Sequence, residues 1–128
     1  MKLASIDVGL KRIGVAICLN SSIVIPQNAI LRKNRNQAAR DVNTFLKEWE
    51  IDKLIVGLPK DAASSDEMER RIKHFVSLLE LDIPVDYQDE QSSSIEAREL
   101  TQGIFKHKKD GKIDSIAAKI ILERWLKH

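Results

Sequence analysis

Two apolar runs of strand length, Leu3 to Val8 and Ile13 to Leu19, open the chain with only Gly9-Leu10-Lys11-Arg12 between them. A link this short joins antiparallel neighbours, so the two runs predict a β-hairpin, and any fold the chain adopts must begin with one. Inside the first run stands Asp7, a carboxylate among Leu3, Ala4, Ile6 and Val8. Burying that charge is expensive unless it is paired, hydrogen-bonded or metal-bound. A plain turn-forming Asp before Gly9 is the better account when it is taken alone.

The remaining pattern alternates. Ile23-Val24-Ile25 and Ala29-Ile30-Leu31 predict a third strand interrupted by Pro26, which has no N–H for a ladder and so calls for an edge, an end or a bulge. From Asn36 to Trp49 the residues Ala38, Ala39, Val42, Phe45, Leu46 and Trp49 recur at three- and four-residue spacing, the mark of a helix with one buried face. Lys53 to Pro59 is a short apolar run closed by Gly57 and Pro59, a central strand leading into a loop. Met68, Ile72, Phe75, Val76 and Leu79 mark a second helix, preceded by Ser64-Ser65-Asp66-Glu67 as a cap. Pro84 to Glu90 reads as a last strand, Ser92 to Leu100 as a helix ending near Gly103, and Ile113 to Leu126 as a final helix. Phe105 to Lys112 reads as a loop. The predicted order is βββαβαβαα, a mixed five-stranded sheet flanked by helices.

At 128 residues and 43% hydrophobic content the chain has enough apolar surface for one core, so a single domain over residues 1–128 is expected. Cys18, the only cysteine, permits no intramolecular disulfide and sits in an apolar context that suggests a buried strand position. The early acid Asp7 breaks any signal-peptide core, and no apolar run approaches a membrane span. A cytoplasmic protein is expected.

A net charge of +2 is too mild to argue nucleic-acid binding from bulk electrostatics. The first 64 residues carry 10 Lys/Arg against 6 Asp/Glu and the last 64 carry 11 against 13. More telling are three local basic clusters, Lys11-Arg12, Arg32-Lys33-Asn34-Arg35 and Lys106-His107-Lys108-Lys109. Of these, Lys11, Arg12, Lys108 and Lys109 are the candidate phosphate contacts, although a solvated surface explains any one cluster.

Two further acids stand at positions comparable to Asp7: Glu90 at the end of the last predicted strand and Asp114 at the start of the last helix. Strand ends and helix starts in such sheets converge where ligand crevices form. Three acids meeting there would repel one another until a divalent cation relieved the repulsion, and oxygen ligands suit Mg²⁺ or Mn²⁺. Each acid also has a bland account: Glu90 as a solvated strand end, Asp114 as an acid at the positive end of a helix. No phosphate-binding glycine loop and no Cys/His zinc pattern is present, and Ser92-Ser93-Ser94 reads as a cap rather than a nucleophile.

The segment Asp7-Val8-Gly9-Leu10-Lys11-Arg12-Ile13-Gly14-Val15-Ala16 resembles the DVGxKRxGxA opening of the YqgF family, bacterial proteins described as Holliday-junction resolvases and as nucleases maturing the pre-16S ribosomal RNA end. Ile55-Val56-Gly57-Leu58-Pro59, Asp89-Glu90 ahead of a Ser-rich helix start with Glu96-Ala97, and Ile113-Asp114-Ser115-Ile116-Ala117-Ala118 follow in the family's order. Two places depart from it: Gln91 stands where the family has Arg, and Lys60-Asp61-Ala62-Ala63-Ser64 replaces a glycine-containing loop.

The resemblance implies a ribonuclease-H-like fold and a hydrolase, a nuclease cutting phosphodiester bonds, whose catalytic and metal-binding residues are Asp7, Glu90 and Asp114. It implies two Mg²⁺ or Mn²⁺ ions about 4 Å apart, a nucleic-acid partner (pre-rRNA first, branched DNA second), and a monomer or weak homodimer. The rivals are a catalytically weak RNA-binding or ribosome-assembly factor, for which Gln91 speaks, and a fragment of a sugar-kinase or actin-like ATPase.

Overall fold

The computed structural model describes residues 1–20, 22–59, 65–89 and 112–127. Strands β1 (Leu3–Val8), β2 (Arg12–Cys18) and β3 (Ile25–Leu31) form an antiparallel meander. Helix α1 (Arg35–Glu48) leads to β4 (Lys53–Leu58), α2 (Ser65–Ser77) to β5 (Val85–Asp89), and α3 (Lys112–Leu126) closes the chain. The five strands lie in one sheet in the order β3-β2-β1-β4-β5, with β4 and β5 parallel to β1. The predicted Ser92 to Leu100 helix and the Ser64 cap lie outside the described residues.

Both faces of the sheet are covered, which is why β1, β2 and β4 are apolar almost throughout rather than alternating. On one face Ala4, Ile6, Val8, Ile13, Val15, Ile17, Leu54 and Val56 pack against Ala38, Val42 and Leu46 of α1 and Ile72 and Phe75 of α2. On the other, Leu3, Ala16, Cys18 and Ile55 pack against Ala118, Ile121 and Leu122 of α3. Cys18 is buried there, as its apolar neighbours suggested.

Pro26 lies within β3 on the outer edge of the sheet, where its missing N–H costs no interior ladder bond. The β2–β3 register also slips between Ile13 and Val15. The third strand thus runs unbroken through the proline, beginning at Ile25 rather than Ile23. Helix α1 starts at Arg35, one residue before its apolar pattern, because Asn34 accepts the Gln37 N–H and the Gln37 side chain reaches back to the Asn34 N–H, a reciprocal cap. Glu50 just beyond the helix adopts φ 52°, the left-handed turn usually left to glycine.

The far end of α3 is tied to the start of β5. The Trp125 Nε1–H donates to Asp86 Oδ2 at 2.8 Å, and Lys53 Nζ stands 3.9 Å from the same oxygen and 4.9 Å from the indole centroid. The Trp125 hydrogen bond, then the Tyr87 N–H, hold the Asp86 carboxyl below its ordinary value of 3.8 against the opposing effect of burial, and the Lys53 charge adds a lesser push in the same direction as the hydrogen bonds. A carboxyl with a lowered folded pKa adds stability that is full above its unfolded value and is lost as pH falls through 3.8 and below. Asp86→Asn is therefore expected to cost about 1 kcal/mol at pH 7, the side chain being partly exposed, and to flatten the acid limb. Urea unfolding from pH 6 to pH 3 checks this; equal acid sensitivity in both proteins would show that Asp86 is not a contributor.

Candidate active site

Asp7 is the one half-buried position in an otherwise buried strand. Strand alternation places it in the row of Leu3 and Ser5, on the face covered by α3. Its partner on β2 is Gly14, and Ile6 pairs with Val56 on β4, so the next residue of β4 along that row is Gly57. Asp7 thus has a glycine directly opposite it on β2 and a glycine level with it on β4.

Two buried hydroxyls set α3 against this row. Ser5 Oγ–H donates to the Ala118 carbonyl at 2.6 Å, and Ser115 Oγ accepts the Val15 N–H at 3.3 Å. Val15 sits at the slip between β2 and β3, where a ladder loses regular partners, and Ser115 supplies one. Ala117 and Ala118, both fully buried, let the helix approach closely. The helix runs from this end of the sheet to Trp125 over Lys53, against the direction of β1. Asp114 lies one helical turn, about 6 Å, before Ala118. Asp7 lies two strand residues, about 6.6 Å, beyond Ser5. The two backbones thus come level at the same end of the sheet, with Asp114 in the first turn of α3.

Glu90 follows β5 directly; it lies outside the described residues, as do the side chain of Asp114 and Lys106, His107, Lys108 and Lys109. β5 itself is parallel to β4 with Leu58 opposite Asp89, so the strand delivers the chain to that same C-terminal edge. Among the described residues no group of three His, Cys, Asp or Glu side chains gathers; Asp7 alone of the three predicted acids has a described side chain. A half-buried carboxylate flanked by Gly14 and Gly57 offers the oxygen donor that a hard divalent cation prefers.

Gly9 closes the β1–β2 turn by donating its N–H to the Arg12 carbonyl at 3.0 Å. A Cβ there would lie 2.5 Å from that same oxygen, so the turn admits only glycine without shifting. Lys11 is exposed in the turn, and Arg12, half-buried, begins β2. Both predicted phosphate contacts in this turn thus stand within a few residues of Asp7.

Sequence reasoning missed Ser5 and Ser115 as positioning residues. Their signal was present, in two hydroxyls within segments otherwise apolar or small. It also missed how Arg32 and Arg35 combine with α2. Arg32 Nη1 donates to the Gly9 carbonyl at 2.8 Å, its guanidinium stands 5.5 Å from the Phe75 centroid, and Arg35, Arg70, Arg71 and His74 line the cleft beside it.

A family model described as "RuvX: Holliday junction resolvase" matches residues 1–128. A "Putative pre-16S rRNA nuclease" of Sulfurovum sp. is 80% identical over 98% of this chain and 98% of its own, and one of the same name from Sulfurimonas denitrificans is 50% identical over 99% and 98%. Among solved structures, Thermus thermophilus RuvC in complex with Holliday junction substrate superimposes with a TM-score of 0.63 at 13% identity, covering 99% of this chain and 96% of that one. That likeness is one of fold, the ribonuclease-H-like sheet expected from the sequence. Among the described residues no helix is long and apolar enough to cross a membrane.

Proposed function

The chain belongs to the RuvX family, also called YqgF, whose members are nucleases acting on phosphodiester bonds, and from that premise we propose that it is a metal-dependent nuclease processing the 5′ end of pre-16S rRNA. The observation that carries the substrate is the 80% identity, over 98% of both chains, with the Sulfurovum protein described as "Putative pre-16S rRNA nuclease". What supports the chemistry is Asp7 flanked by Gly14 and Gly57, level with the first turn of α3.

In this reading Asp7, Glu90 and Asp114 hold divalent cations, Mg²⁺ or Mn²⁺, in the cytoplasm. Such ions, when bound, make water a stronger nucleophile at neutral pH and stabilise the leaving oxygen. The chain's own groups bind and orient. Lys11 and Arg12 set positive charge beside the scissile phosphate, where it favours the developing negative charge. Gly9 holds the turn that carries them, and Ser115 holds the start of α3. Lys108 and Lys109 add phosphate contacts in the same reading.

Wild-type protein incubated with single-stranded RNA carrying a ribosomal-precursor-like end, and in parallel with a four-way DNA junction, tests the substrate. Cleavage of the RNA with Mn²⁺ or Mg²⁺, and none with chelator, is the expected result. Cutting of the junction alone would transfer the function to recombination, the reading favoured by the family description and by the RuvC complex. A junction enzyme needs two symmetric sites and hence a dimer, whereas the RNA activity needs only a monomer. Binding without cleavage of either would leave an assembly factor.

A further inference from the structure

Four arginines gather away from Asp7, on the other side of the β1–β2 turn. A cleft of about 510 Å³ is lined by Leu10, Arg32, Arg35, Arg70, Arg71 and His74. Three separate elements supply it: the turn, the end of β3 with the start of α1, and α2. Among the described lining residues there is no carboxylate. Arg71 does pair with Glu67 at 2.6 Å, but both side chains are more than half exposed and such a pair is weak. Arg35 Nη1 lies 3.2 Å from His74 Nδ1; a guanidinium only donates, so Nδ1 accepts and the guanidinium keeps its full charge.

Arg32 is the fixed member. Its donation to the Gly9 carbonyl and its seat on Phe75 hold it in place. Burial, then the charges of Arg35 and Arg71, push its pKa below the ordinary guanidinium value, so like charges are being held together at a cost that an anion would relieve. The cleft is also continuous with the active-site turn. The Arg32 N–H donates to the Lys11 carbonyl at 2.9 Å, and Arg12 pairs with Leu31 across the sheet. A basic stripe therefore runs from Arg12 and Lys11 through Arg32 to Arg35, Arg71 and Arg70. Leu10, 66% exposed at its middle, offers an apolar seat for a sugar or base.

We propose that this arginine cleft is a second phosphate site, which holds the substrate nucleic-acid strand on the opposite side of the β1–β2 turn from Asp7. It rests on the nuclease reading for the identity of the anion as a nucleic-acid phosphate. The cleft is wider than one phosphate needs, so either a backbone diester or a terminal phosphate fits the chemistry.

The test is binding of 3′-labelled single-stranded RNA, with a 5′-phosphate or a 5′-hydroxyl, to wild type in chelator across 50–200 mM salt, conditions over which phosphate contacts differ strongly (roughly the range that exposes counterion release). Arg35→Gln/Arg71→Gln is expected to weaken binding about tenfold and to lower the salt slope by about 0.7 to 1.4, one or two phosphate contacts on a single strand. Arg40→Gln/Lys47→Gln removes the same charge elsewhere on α1 and should stay within about twofold. Arg35→Lys/Arg71→Lys should retain most of the affinity, which separates lost charge from lost fold. Loss of a 5′-phosphate preference in the Gln variant would assign a terminal phosphate; equal effects on both RNAs would assign the backbone. Equal weakening by the two Gln pairs, an unchanged affinity in Arg35→Gln/Arg71→Gln, or no binding by wild type would overturn the proposal. Cleavage with Mn²⁺ is scored separately. A wild type that binds through the cleft but cuts nothing defeats the nuclease reading alone, and one that cuts while both Gln pairs bind alike defeats the cleft alone.

Discussion

Asp7→Asn is expected to reduce metal-dependent phosphodiester cleavage by at least about 10²-fold, the usual cost of removing one group that stabilises transition-state charge, while the protein remains folded and still binds RNA. The substitution keeps the shape of the side chain and removes only its charge, so the row of Leu3, Ser5 and Asp7 should pack as before. A second readout separates a metal-holding carboxylate from a merely structural one. If Asp7 holds a cation, Mn²⁺ should stabilise wild type against thermal unfolding by about 2.7 kcal/mol at one hundred times its dissociation constant, and much less in Asp7→Asn. A variant that keeps both its activity and its response to Mn²⁺ would remove Asp7 from the site. One that loses both only because it unfolds would show in its far-UV circular dichroism.

The largest effect on stability is expected at Phe75. Among the described residues it is the largest fully buried side chain, and it belongs to the core cluster that α2 shares with the sheet and α1. Phe75→Ala removes a whole ring from that cluster. The expected loss is about 3–5 kcal/mol, a drop in Tm on the order of 10 °C or more. Phe75→Leu, which keeps most of the volume, should cost clearly less, about 1–2 kcal/mol. Urea midpoints measure both. The ring also seats the Arg32 guanidinium, so RNA affinity should fall in Phe75→Ala even at temperatures where the protein remains folded. A loss below about 1 kcal/mol would mean that the core closes around the missing ring.

Local pattern made much of the fold legible. The hairpin followed from two apolar runs and a short link, α1 and α2 from apolar residues at helical spacing, and β4 from an apolar run closed by glycine and proline. Each depends on neighbours in the chain, which is where such patterns carry information. Asp7 was legible for a similar reason: a carboxylate within an apolar strand is costly enough to need an explanation. The family resemblance then rested on contiguous segments, and the match over residues 1–128 bears it out.

What surrounds Asp7 is a different kind of fact. The sequence by itself determined that Asp7, Gly14 and Gly57 exist at strand positions, and that Arg32 and Arg35 lie in one basic cluster while Arg70 and Arg71 stand among acids far along the chain. Only the tertiary structure decided that the two glycines flank Asp7, because strand register across the sheet sets which residues share a row. Only it brought the four arginines to one cleft, because α1 and α2 cover the same face and the apolar sides that pack them there place these charges together. Side-chain period is a local property of the chain; which elements become neighbours is settled by where the buried faces meet.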